Sequence, residues 1–172
     1  MVKKGNSRFK AKRITRTYRQ NISGTAETVF PLLCPVREAE WLEGWRYQII
    51  HSVSGLAEEG CVFATPGNDE EDTVWVITRH DTAYYEVDFV RFTPASRTCV
   101  LKIAVTPDGE SDSTVDISYT YTGITEEGNA WIDNFTEESF LEAVKFWERS
   151  MNHFLKTGEK LLRRHGDTGT RR

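Results

Sequence analysis

The chain has 172 residues, 38% of them apolar and 28% charged, with a formal net charge of -4. That length suits one domain with one core. A mean hydropathy of -0.52, with no apolar run of about 18 residues, excludes a membrane-spanning helix, and 12% aromatic residues including five Trp argue against disorder.

Residues 1–20 carry eight Lys or Arg and no acid, whereas residues 21–150 carry 24 acids against eight bases. A basic end can meet RNA, an acidic lipid surface or the acidic body of its own chain. Nucleic acid is disfavoured, because only Phe9 and Tyr18 are available to stack beside these bases. Contact with a membrane surface stays open. Met1–Lys10 lacks periodicity and reads as a mobile basic tail. No apolar segment follows it, so no secretory signal is expected. From about Ala11 to Gln20 the chain alternates through Ile14, Thr15, Thr17 and Tyr18, which predicts a first strand. Thr25 suits a helix N-cap. Ala26–Leu33 then forms a short helix that Pro35 ends. Val36–Leu42 forms a second, closed by Gly44.

Strands dominate the middle. They are expected at Arg46–Ser54, Cys61–Thr65, Thr73–His80, Ala83–Phe92, Arg97–Thr106 and Ser113–Thr122. Turn residues separate them, with Pro107-Asp108-Gly109 the strongest signal. In the last strand Val115, Ile117, Tyr119 and Tyr121 share one face and Thr114, Asp116, Ser118 and Thr120 the other, so one face packs and one meets water. After Gly128 the period changes. Thr136 is the expected N-cap, with Glu137 and Glu138 in the first turn where the dipole favours acids. Phe140, Val144, Trp147, Met151, Phe154 and Leu155 recur at helical steps, which predicts an amphipathic helix of about 28 residues. Gly158 weakens it by up to about 1 kcal/mol relative to Ala. Residues 165–172 read as a frayed tail, leaving 11–164 as the single domain.

The class is therefore α+β. A curved antiparallel sheet of about six to seven strands wraps a long C-terminal helix, with two short helices after the first strand. Curvature is expected to hold helix and sheet apart at one end and leave a cavity, where function most often sits.

The segment from Ile22 to Phe30 (Ile-Ser-Gly-Thr-Ala-Glu-Thr-Val-Phe), the segment from Trp41 to Trp45 (Trp-Leu-Glu-Gly-Trp), the turn over Ser52–Gly60 and the helix over Phe140–Leu155, in this order of elements, resemble the START-like, or SRPBCC, superfamily. That group includes polyketide cyclase/dehydrase-like proteins and plant pollen-allergen relatives with the helix-grip fold. The resemblance covers roughly residues 11–163 and implies an apolar guest such as a lipid, sterol, polyketide or hormone. Some members are enzymes, others carriers or regulators.

Strand alternation places the lining. Tyr119 and Tyr121 face inward, with Trp75 and Ile77, Tyr85, Val87 and Phe89, and Leu101 and Ile103; Phe63 and Tyr47 follow the same logic. Trp147 and Met151 line the space from the helix. Tyr and Trp bring an apolar body with a polar tip, suited to an aromatic or elongated guest. Arg91 anchors an acidic head group if it points inward. His51, on the apparent inward face with Tyr47 and Ile49, is the one weak acid–base candidate. Glu86 and Asp88 are expected to face solvent, Glu38 and Glu40 to lie on a solvated helix face, and His80 to be exposed at a turn. Cys34, Cys61 and Cys99 show no pairing or metal-ligand spacing and suit reduced thiols in a cytoplasmic protein. No GxSxG, HExxH, P-loop or GxGxxG motif occurs, and no metal or cofactor is implied.

Three readings follow. The first is a carrier or binder of a small hydrophobic molecule (lipid-like, polyketide-like or aromatic) in the helix–sheet cavity. The second is a cyclase- or dehydratase-type enzyme on a polyketide-like or aromatic substrate. The third is a regulatory interaction protein using its basic N-terminus. Oligomeric state is open.

Overall fold

The computed structural model describes residues 8–67 and 71–163. The order is β1 (Arg13–Ile22), α1 (Ala26–Val29) running into a 3-10 turn (Phe30–Leu32), α2 (Pro35–Trp41), β2 (Gln48–His51), β3 (Val62–Thr65), β4 (Thr73–Asp81), β5 (Glu86–Thr93), β6 (Arg97–Asp108), β7 (Asp112–Gly123), α3 (Glu126–Asn134) and α4 (Glu137–Thr157). The tails expected over 1–10 and 165–172 lie, for residues 1–7 and 165–172, outside the described residues.

The strands form one antiparallel sheet in the order β1-β7-β6-β5-β4-β3-β2. From β2 to β7 each strand pairs with the next, as short turns dictate. β1 instead pairs along its whole length with β7, from Arg13 opposite Thr122 to Ile22 opposite Ser113. The short helices therefore carry the chain from one edge of the sheet to the other. The sheet curves around α4, as the sequence pattern predicts.

Five hydrogen bonds fix α4 against β1 and the turn after it. Gln20 Nε2 donates to the Val144 carbonyl at 2.8 Å. Glu148 accepts from the Asn21 amide at 2.7 Å and the Tyr18 hydroxyl at 3.0 Å. Asn152 accepts from the Ser23 amide at 2.8 Å and donates to the Asn21 carbonyl at 2.9 Å. Polar side chains thus set the height of the helix over the sheet, and apolar ones fill the space beneath.

The observed elements depart from expectation in physical detail. Pro35 does not merely end the first helix. It opens α2 at the first helical position, where its missing N–H costs nothing. α4 stops at Thr157, short of the expected 28 residues. Gly158 takes φ +74° and its amide donates to the Phe154 carbonyl at 2.7 Å, a left-handed cap rather than a weak interior position. α3 was not foreseen. Its N-cap Thr125 accepts the Gly128 amide at 3.1 Å, but Gly128 and Asn129 are poor helix formers and hide it. Both are placed by tertiary contact. A Cβ on Gly128 would lie 1.7 Å from the Ser96 carbonyl oxygen. Asn129 accepts the Lys12 amide at 2.8 Å and donates to the Lys10 carbonyl at 3.0 Å, extending the hold on β1.

Candidate functional site

One row of inward side chains crosses the sheet at the level of Arg91. Pairing sets Ile49 opposite Phe63, Phe63 opposite Trp75, Trp75 opposite Arg91, Arg91 opposite Cys99, Cys99 opposite Tyr121 and Tyr121 opposite Ile14. Arg91 stands on β5, the central strand. Its position follows from period-two alternation, since Val87, Phe89, Arg91 and Thr93 share the buried face of that strand.

Arg91 is 8% exposed. Its guanidinium carbon lies 4.8 Å from the Trp75 ring centroid, 5.0 Å from that of Tyr121 and 5.8 Å from that of Tyr119. It donates through Nη2 to the Tyr121 hydroxyl and also bonds the Cys99 sulfur. Arg91 thereby joins two aromatic groups. On one side Phe63 stacks on Trp75 at 5.4 Å, with Phe89 edge-on to both. On the other Tyr119 stacks on Tyr121 at 6.0 Å, and Trp131 and Phe135 lie 4.8 and 4.9 Å from Tyr121.

The electrostatics of this centre are lopsided. Burial works against the guanidinium charge, but Tyr121, Cys99 and Tyr119 outweigh it and hold the Arg91 pKa above its ordinary value. Burial pushes the Tyr121 phenol and the Cys99 thiol up, against the opposing pull of Arg91. Both stay neutral around pH 7; the charges with which they raise the Arg91 pKa arise only in alkaline solution. Among the described residues no carboxylate bonds it. Removing an unpaired charge from water costs several kcal/mol, and cation–π contacts return about 0.5–2 kcal/mol each. A second guanidinium lies nearby. Arg97 stacks on Trp131 at 3.8 Å and donates to Ser96 Oγ at 2.8 Å.

The expected lining divides into two groups. Phe63, Trp75, Phe89, Tyr119, Tyr121, Trp147 and Met151 all point into the interior and are at most 5% exposed. Arg91 joins them. Tyr47 precedes β2 and packs half-buried against the core margin. Tyr85 is not on a strand. It lies in the turn before β5 with φ 55°, and its hydroxyl donates to Glu27 at 2.9 Å. His51 does not face inward. It is exposed at the end of the edge strand β2, past a register shift between Ile49 and His51 that ends the alternation. No imidazole therefore reaches the interior from that position.

Other expectations are corrected too. Glu38 is buried rather than solvated, whereas Glu40 pairs at the surface with Arg37 at 2.6 Å. His80 is half-buried, its ring 5.2 Å from Phe30. The sequence reading passed over Trp131, Phe135 and Arg97. Their signal was weak, since Trp131 lies on the hidden helix α3, Phe135 is its C-cap and Arg97 opens a strand.

Trp41 stacks on Trp147 across α2 and α4, and the rings of the Arg91 row pack against each other. The large surface depressions lie elsewhere. One of about 660 Å3 runs over the outer face of the sheet, lined by Arg19, Arg79, Glu86, Asp88, Lys102 and Asp116 among others. Its charges pair with one another, Arg19 with Asp116 at 2.7 Å and Arg79 with Glu86. It is a solvated face without an unbalanced group to hold a ligand. A second, of about 700 Å3, lies between the start of β1 and the α3–α4 junction. Among the described residues no three His, Cys, Asp or Glu side chains gather as a metal site.

The sequence matches no protein-family model and no curated protein. Solved structures do match. Norcoclaurine synthase from Thalictrum flavum, a point mutant in complex with a transition-state analogue, superposes with a TM-score of 0.64 at 13% identity, over 88% of this chain and 99% of that one. The chain has the helix-grip fold. Ara h 8.0201 shares it with a TM-score of 0.57 at 12% identity, over 85% of this chain and 99% of that one. DynU16, a putative protein of the dynemicin biosynthetic locus, matches with a TM-score of 0.57 at 13% identity, over 84% of this chain but 48% of its own length. At 13% identity or less, these likenesses show a shared fold.

Proposed function

We propose that the chain is a binding protein for a small, flat, largely apolar molecule, held between the sheet and α4 beside the Arg91 row. The observation that carries this reading is the row itself. Polar-tipped rings from neighbouring strands converge on one buried cation, an arrangement suited to orienting a guest as well as enclosing it. Trp131 on α3 and Phe135 at its C-cap are only half-buried and cover Tyr121 from the solvent side. Swinging these two rings outward would uncover Tyr121, the hydrogen-bond partner of Arg91. Helix-grip neighbours lend support by analogy of fold, since norcoclaurine synthase has been solved in complex with dopamine and hydroxybenzaldehyde.

The test is a titration with the neutral fluorophore N-phenyl-1-naphthylamine, following probe emission and Trp quenching. Saturable binding at one probe per chain, weakened in Tyr119→Ala, is the expected result. A linear, non-saturating response that Tyr119→Ala leaves unchanged overturns the reading.

A further inference from the structure

We propose that the guest carries a single carboxylate, received by the Arg91 guanidinium with the Tyr121 hydroxyl as a second donor. This rests on the interior-ligand reading above and adds the charge and chemistry of the guest. Three observations lead to it.

Charge comes first. Arg91 is nine-tenths buried and no carboxylate among the described residues bonds it. The Tyr121 phenol and the Cys99 thiol stay neutral around pH 7, so the centre has an uncompensated positive charge that one carboxylate neutralises. A dianion such as a phosphate monoester would leave a buried negative charge in its place. Arg97 is turned toward Trp131 and Ser96 and has partners of its own, and its positive field at Tyr121 further favours an anion there.

Donor geometry comes second. Arginine carries five N–H donors in a planar fork that matches a carboxylate edge. Tyr121 accepts one of them through its oxygen. Its own proton faces the Cys99 sulfur, a weak acceptor from which a carboxylate oxygen would draw it.

Shape comes third. Trp75 and Tyr121 lie on either side of the guanidinium at 4.8 and 5.0 Å. Flat walls flanking a planar cation admit a flat body whose acid group lies in its plane. An aromatic or conjugated carboxylic acid has that form.

The experiment compares naphthalene-2-carboxylate with naphthalene-2-carboxamide, an uncharged isostere, by calorimetric titration of the full chain at pH 7. The wild-type chain is expected to bind the acid about tenfold or more tightly than the amide, the ratio set by a charged hydrogen bond over a neutral one. Arg91→Gln is expected to hold the amide and lose the preference for the acid. Tyr121→Phe keeps every ring in place, guards against a folding defect in the first variant, and is expected to reduce the preference several-fold. Equal binding of acid and amide by the wild type overturns the carboxylate assignment while leaving the ligand site standing. So does a preference that survives Arg91→Gln. If neither compound binds, and the neutral fluorophore does not bind either, the interior site itself fails and the assignment falls with it.

Discussion

Trp41 and Trp147 stack with their ring centroids 5.8 Å apart and their planes 23° from parallel. Trp41 lies on α2 and is bonded through its indole N–H to the Leu32 carbonyl at 3.1 Å. Trp147 lies on α4. The pair therefore couples the edge-to-edge crossover of the chain to the long helix at a point where both rings are wholly buried. Truncating Trp147 to Ala removes one of the largest side chains in the core. It should cost about 3–5 kcal/mol of unfolding free energy, read as a lower urea midpoint with little change in slope. A loss below about 1 kcal/mol would mean that the helix is held chiefly by its polar contacts.

Those polar contacts have their own test. Glu148 receives the Asn21 amide and the Tyr18 hydroxyl on separate oxygens. In Glu148→Ala both donors lose their partner, at an expected cost of about 1–3 kcal/mol. In Glu148→Gln the amide oxygen still accepts from Asn21, and the amide nitrogen can donate to the Tyr18 oxygen. Stability should then fall by less than half as much. Equal losses in the two variants would show that charge, not hydrogen-bond geometry, fixes α4 to β1.

Two glycines should respond differently to alanine. At Gly128 the added methyl meets the Ser96 carbonyl oxygen and carbon at 1.7 and 2.6 Å, and backbone cannot swing aside. Gly128→Ala must displace α3, with an expected loss of about 1–3 kcal/mol or more and faster amide exchange across Glu126–Asn134. At Gly158 nothing lies within 4 Å, but φ is +74°. Gly158→Ala carries only the left-handed backbone penalty of about 1 kcal/mol, and exchange should quicken only in the last turn of α4. Matching exchange patterns in the two variants would contradict the distinction.

How much of this was legible in the sequence follows from which force set each feature. β7 was readable because one of its faces packs and the other meets water, so Val115 to Tyr121 alternate cleanly. The start of α4 was readable because Thr136 and the acids after it act within one turn. Gly128 and Asn129 obscured α3 because their roles are tertiary, against Ser96 and β1. His51 was misplaced because an edge strand with a register shift loses its alternation. The phase of Arg91 could be read from Val87 and Phe89, but not its neighbours. Those depend on register across four strands, β4 to β7, which no local pattern encodes. The ring contacts were hidden for the same reason, since they bring together side chains from different strands.

The half-buried His80 predicts the pH response. Burial lowers its pKa below the ordinary 6.5, with the Glu58 charge opposing. The unfolded chain then binds a proton at higher pH than the folded chain. Stability should be full above about pH 6.5 and decline as pH falls through that value, flattening once the folded imidazole also titrates. Glu27, Glu58 and Asp81 all have lowered pKa values, from ordinary values of 4.5, 4.5 and 3.8. Their loss of stability begins only in more acidic solution, so the two effects separate. His80→Phe keeps a ring against Phe30 and removes the titration. Melting temperatures of the wild type should drop between about pH 7 and 5, while those of His80→Phe should stay nearly level over the same span. A parallel drop in both proteins would show that the His80 contact with Phe30 carries no linkage to protons.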